Sequence, residues 1–127
     1  MERFFWICGA GALGTGSRYL VGLWAGERFG PGFPFGTLIV NVVGCFLMAL
    51  VVHVALNLAT FPPNLRFALT TGFLGGLTTY SSFNYETTKL LQDGALRLAM
   101  INFAVTVMLC FVAGLLGVAL ARRLVAT

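Results

Sequence analysis

Four long apolar runs, separated by short connections, leave this chain one solvent in which to fold. They cover about residues 4–24, 35–58, 65–91 and 96–120. Each is long enough for a membrane-spanning helix, which needs about 20 mostly apolar residues. The connecting stretches GERFGPG, ATFPPN and QDGA hold the Gly, Pro, Asn and Asp that punctuate structure. No hydrophilic segment is left to make a second domain. The chain is 9% charged, where a soluble domain carries roughly 25%, so it has too few charges to cover a water-facing surface. The expected fold is an all-α integral membrane protein with four transmembrane helices in one domain, residues 1–127. The first run does not read as a cleaved leader, because its flank is Glu2-Arg3 and another membrane segment follows.

Charge placement says more than the net charge of +4. With four spans, Arg3, Arg66, Arg122 and Arg123 fall on one side and Arg28, Lys89 and Arg97 on the other. Orientation follows the Lys/Arg imbalance, and four against three is a weak one. The chain is therefore expected to insert both ways and to pair with its own inverted copy. The same charges lie at the ends of apolar runs, so the bilayer is the expected partner and nucleic acid is not. Cys8, Cys45 and Cys110 sit in three different runs without paired spacing, which suits small buried hydrophobes better than a disulfide framework or a zinc site. Glycines four apart, Gly22 and Gly26, Gly32 and Gly36, and Gly72 and Gly76, allow close helix packing where they lie on helices.

The third run contains GGLTTYSSFNYE, residues 75–86, a polar cluster inside a membrane segment. Polar groups are expensive there and mark function by default. Residues 67–77 read as apolar helix. Gly75-Gly76 loosens that helix ahead of Thr78-Thr79, so the third helix is expected to be broken. Unwound backbone at membrane depth is tolerated only inside protein or along a watery cavity, where its carbonyls and N–H groups bind ions. Beyond the break, steps of three place Tyr80, Phe83 and Glu86 on one face, and Lys89 falls three residues past Glu86. Thr37 and Asn41 form a polar column in the second run; Asn102, Thr106 and Cys110 form another in the fourth. Such residues often only bridge helices, but two columns beside a polar cluster read as a lined pathway. Arg18 is the charge inside the first run, placed to snorkel, to cap carbonyls or to draw anions inward. His53 stands near the end of its run.

These stretches resemble a known family. GGLTTYSSF is similar to the third-helix signature of the CrcB/Fluc fluoride channels, GTLIVNVVGCF to their second-helix Gly-Thr-x-x-Val-Asn, and GAGALGTGSRYL to their Gly-rich first helix. The resemblance implies an antiparallel homodimer in bacterial inner membranes that passively exports fluoride through two pores. It also implies a structural, non-transported sodium ion at the dimer centre, held by the carbonyls of Gly75 and Thr78. By the same resemblance Asn41 faces the pore, and Asn102, Thr106 and Cys110 form the polar track of the fourth helix. The expected pathway is Asn41, Thr79, Tyr80, Ser81, Phe83, Glu86, Asn102, Thr106 and Cys110, with Arg18 as a structural charge. Two positions depart from the family pattern: Tyr80 stands where Phe is usual, and Cys110 where Ser is often found.

Two other readings compete. A small proton-coupled exporter of drugs or cations would also insert both ways, but it needs a titratable carboxylate at mid-membrane in the first run, which offers only Arg18. A structural subunit would not need aligned polar tracks. An enzyme is not expected: Ser81 and Ser82 share the chain with a single His, on another run, and with no orienting carboxylate.

Overall fold

The connections are short enough that successive helices must run back and forth beside one another. The computed structural model, which describes residues 1–126, has that arrangement. Helix α1 covers Glu2–Phe29 and α2 covers Phe35–Asn57. The third run is a succession: α3 (Pro63–Phe67), a π-helical stretch (Ala68–Leu74), α4 (Gly75–Leu77) and α5 (Tyr80–Gln92). Helix α6, Leu96–Val125, closes the chain. At 1.5 Å per residue, α5 alone reaches only about 20 Å, short of a bilayer core of about 30 Å. The two sides of the third run must therefore cross together.

Among the described residues, two helices are long and apolar enough by composition alone to cross a membrane, α2 and α6. Helix α1 is long enough, but its glycines and Arg18 dilute its apolar character. The first connection is shorter than the sequence suggests, because α1 continues through Glu27 and Arg28 to Phe29. Gly30, at φ 78°, then turns the chain, as Gly94 does at φ 77° before α6; both need the left-handed backbone that glycine adopts without strain.

Small residues set the packing. A Cβ on Gly14 would run into the backbone of Phe73, and one on Gly76 would stand 2.5 Å from the carbonyl oxygen of Gly11. The arriving part of the third run is thus pressed backbone to backbone against α1. Gly72 does the same against Ile7, at 2.8 Å. Of the other glycine pairs, Gly22 and Gly36 meet each other between α1 and α2, whereas Gly26 and Gly32 have open space around them. Gly117 of α6 fits against the backbone of Phe46, drawing α6 close to α2. Val40, Leu74 and Leu77 form the apolar centre, with Val21, Leu47, Met48 and Phe73 around it. At one end, Arg3 Nε donates to Asn64 Oδ1 at 3.3 Å and its guanidinium lies 4.5 Å from the Phe67 ring. The start of α1 and the second connection therefore share an end of the bundle.

Candidate functional site

The break in the third run falls two residues beyond the glycines. Gly75 is still helical (φ −64°, ψ −37°), while Thr78 (−86°, 155°) and Thr79 (−154°, 115°) are extended. The glycines serve a different purpose, close approach to α1, and the threonines make the break. Thr78 Oγ1 donates to the Leu74 carbonyl at 2.9 Å, closing the arriving helix. Thr79 Oγ1 accepts from the Ser82 N–H at 3.1 Å, capping α5. The sequence also suggests a plain apolar helix over 67–77; instead Ala68–Leu74 is π-helical, a form that appears often at functional sites.

Asn41 holds the extended segment in place. Its Oδ1 accepts from the Thr79 N–H at 2.8 Å, and its Nδ2 donates to the Thr79 carbonyl at 3.0 Å. One buried amide satisfies both backbone groups of one unwound residue, which would otherwise be costly. The break releases carbonyls, among them those of Gly75 and Thr78. In an unbroken helix the Gly75 carbonyl would accept from the Thr79 N–H, now held by Asn41. The Thr78 carbonyl would accept from the Ser82 N–H, now held by the Thr79 hydroxyl. These are oxygen donors of the type a hard cation takes, and the residues present therefore fit a sodium ion.

Beside the break lies a cavity of about 500 Å3. Asn41, Thr79, Tyr80, Phe83, Thr106 and Cys110 line it, six of the nine residues expected on the pathway. Phe83 is 4% exposed and Tyr80 is 78% exposed, with ring centroids 5.7 Å apart. Phe103 stacks on the outer side of Phe83 at 6.2 Å and is itself exposed. With Cys45 also on the wall, the lining offers ring edges, hydroxyls, an amide and two thiols, with neither Lys nor Arg.

The remaining three lie elsewhere. Ser81 is exposed, its hydroxyl 3.1 Å from that of Thr79. Asn102 is buried behind the cavity. Its Nδ2 donates to Thr87 Oγ1 at 2.9 Å, its Oδ1 accepts from Thr106 at 3.4 Å, and Thr87 donates onward to the Phe83 carbonyl at 2.7 Å. Glu86 turns toward α2, where its Oε1 accepts from Thr37 at 2.7 Å; its Oε2 is buried without a hydrogen-bond partner among the described residues. It lines a separate cavity of about 320 Å3. The expected single face of Tyr80, Phe83 and Glu86 is thus divided, because each step of three on a helix drifts by about 60°. Lys89 does not pair with Glu86 but with Asp93, at 2.9 Å. Arg18 lines a third cavity, of about 290 Å3, with Thr15, Thr37, Thr79 and Ser82. His53 stands on α2 in yet another cavity, so Ser81 and Ser82 have no histidine beside them.

Sequence patterns missed Thr87 and Ser82. Thr87 lies four residues past Phe83, a spacing that allows its bond to the Phe83 carbonyl, but its contact with Asn102 crosses between helices and leaves no local pattern.

A family model described as CrcB-like protein, Camphor Resistance (CrcB), matches residues 5–118. The chain belongs to the CrcB family. This CrcB-family chain is 47% identical over 126 residues to a fluoride-specific ion channel FluC of Sorangium cellulosum, covering 99% of each chain. It is 46% identical over 124 residues to a FluC of Citrifermentans bemidjiense, covering 98% of this chain and 100% of that one. It is 47% identical over 124 residues to a FluC of Geobacter sp. strain M21, with the same coverage. The CrcB-family chain is thus an all-helical membrane protein of four helices with a bent third, and it is not an enzyme.

Proposed function

We propose that this chain is a fluoride-specific ion channel that passively exports the anion from the cytoplasm across a bacterial inner membrane. The reading is carried by one observation: in a full-length relative of fluoride channels, the cavity beside the helix break is lined by Asn41, Thr79, Tyr80, Phe83, Thr106 and Cys110. Fluoride is small and strongly hydrated. To pass, it must exchange water for several weak donors and must not meet a basic side chain that holds it too tightly. The positively polarised ring edge of Phe83 is such a donor. So is the N–H of Asn41 left after it bonds Thr79; the Thr79 and Thr106 hydroxyls, which donate to Ser82 Oγ and Asn102 Oδ1, would turn from those partners to serve the anion. Ser81, Glu86 and Asn102 complete the proposed path beyond the cavity, with Arg18 as a structural charge beside Thr79. Hydrogen fluoride crosses membranes neutral and dissociates inside. A passive path then suffices, since an inside-negative potential favours anion exit by about 2.3 kcal/mol per 100 mV.

The working unit is an antiparallel homodimer of one four-helix domain, residues 1–127. The near balance of Arg3, Arg66, Arg122 and Arg123 against Arg28, Lys89 and Arg97 supports insertion in both directions. The released carbonyls of Gly75 and Thr78 would hold a sodium ion at the dimer centre. When bound, that ion would supply a fixed positive charge beside the break. The chain's own residues do the rest: Asn41 fixes the extended segment, Thr79 caps α5, and Phe83 is set at the cavity wall.

Purified protein in fluoride-loaded liposomes, followed with a fluoride electrode, tests the reading. Rapid fluoride release with chloride retained is expected. No release at any protein density, or equal release of chloride, contradicts it.

A further inference from the structure

The three cysteines are scattered through the sequence, but the fold brings two of them together. Cys45 on α2 and Cys110 on α6 interact and line the same two cavities. Neither is in a disulfide. Both line the cavity beside Phe83, and both line an adjoining cavity of about 620 Å3 between α2 and α6. Met48 lines the adjoining cavity as well, three residues past Cys45 and so on the same face of α2. Two thiols and a thioether side chain thus line one apolar groove between α2 and α6, beside the exposed Leu56, Phe111 and Leu115.

We propose that Cys45, Cys110 and Met48 form a binding site for a soft monovalent metal cation of the Cu(I) and Ag(I) class. Thiolate and thioether sulfurs select such ions, whereas hard cations prefer oxygen donors. Zinc is a poorer match, since a structural zinc site takes four ligands. Among the described residues no group of three or more His, Cys, Asp or Glu side chains gathers to supply them. Charge balance points the same way. The ion bonds to both sulfurs and displaces one thiol proton, so that two thiols and M+ become a neutral thiolate–metal–thiol unit plus H+. Nothing is oxidised or reduced, and no net charge is left in the apolar groove, where an uncompensated charge is costly. His53 lines the same cavity. It lies eight residues past Cys45, about 12 Å along α2, which suits an imidazole landing point on the way in better than a shared ligand.

Because both thiols also face the Phe83 cavity, an ion held between them narrows the proposed path and slows fluoride. That consequence rests on the channel reading; the binding site does not. The probe is Ag+ in chloride-free buffer, added to the full chain carrying Cys8→Ser, a change at an exposed position. One Ag+ per chain should bind, and both remaining thiols should be protected from N-ethylmaleimide. Cys45→Ser and Cys110→Ser should each weaken binding by at least about the tenfold that losing a mere supporting group costs a metal site. Met48→Leu should weaken it by less. The protection experiment needs no change at the site, so it stands even where a serine variant misfolds. Equal alkylation rates with and without Ag+, or unchanged affinity in folded Cys45→Ser protein, overturn the site. Fluoride release is then compared with and without Ag+, each variant against its own metal-free rate. A fall confined to chains that retain both thiols supports the narrowing, and unchanged release in Ag+-loaded protein overturns it. Thiol protection in protein that releases no fluoride without metal leaves the site standing and sinks the channel reading instead.

Discussion

The two sides of the break in the third run are held by different means. The arriving side, Pro63–Leu77, is fixed by backbone contact: Gly72 and Gly76 lie against α1, and Gly14 of α1 fits against Phe73. No side chain there can move aside to relieve a clash. The departing side, Tyr80–Gln92, is held by side chains: Thr79 caps it, Thr37 reaches Glu86, and Asn102 reaches Thr87. Asn41 stands between the two and fixes the extended residue that joins them. The difference separates two duties. The arriving side sets where the break is, and substitutions there should act on folding. The departing side carries the polar lining, and substitutions there should act on passage.

The strongest test of that division is Gly14→Ala. Its methyl group would occupy space held by the Phe73 backbone, and overpacking of this kind costs about 1–3 kcal/mol. We expect a lower unfolding temperature in detergent and little folded protein, with flux per folded chain nearly unchanged. Wild-type stability would show that the arriving side can shift. Asn41→Leu comes next. It leaves the N–H and carbonyl of Thr79 without their partners, about 1–3 kcal/mol for each buried group. Stability and fluoride release should both fall, because this residue joins the two sides. Asn41→Asp, which keeps the acceptor and loses the donor, should fall between Asn41→Leu and wild type. Tyr80→Phe should matter least. Tyr80 is largely exposed, and exposed changes usually stay within about 0.5 kcal/mol of stability. A modest drop in fluoride release is expected if its hydroxyl donates to the anion, and a rise would mark the hydroxyl as an obstacle.

Much of this was legible in the sequence because membranes impose a simple rule. Four apolar runs with short connections permit little besides four antiparallel helices. The break was legible too, since Thr78 and Thr79 are polar where polarity is expensive, although the neighbouring Gly75 and Gly76 drew attention to the wrong two residues. Glycine reads as a breaker in one dimension, but its missing side chain is used here for contact with α1, which only the fold reveals. The columns of Thr37 with Asn41 and of Asn102 with Thr106 followed from helical spacing. Their partners, Glu86, Thr79 and Thr87, did not, because contacts between helices depend on rotation and register. The meeting of Cys45 with Cys110 is of the same kind: 65 positions separate them in the chain, and no local pattern joins them.

Two neighbouring rings offer the most direct test of the claim that the cavity at the break conducts fluoride. Phe83 is buried and lines the cavity, whereas Phe103 stacks on its outer side and does not. Phe83→Ile and Phe103→Ile make the same chemical change 6.2 Å apart, and each should cost less than about 1.5 kcal/mol of stability as an apolar swap of moderate size. Fluoride release is measured from liposomes holding equal amounts of folded protein. Release through Phe83→Ile should fall at least about tenfold, a rise of 1.4 kcal/mol in the barrier, while Phe103→Ile stays near wild type. Full release through Phe83→Ile, or an equal loss in both, would mean that Phe83 is packing and that the ion passes elsewhere.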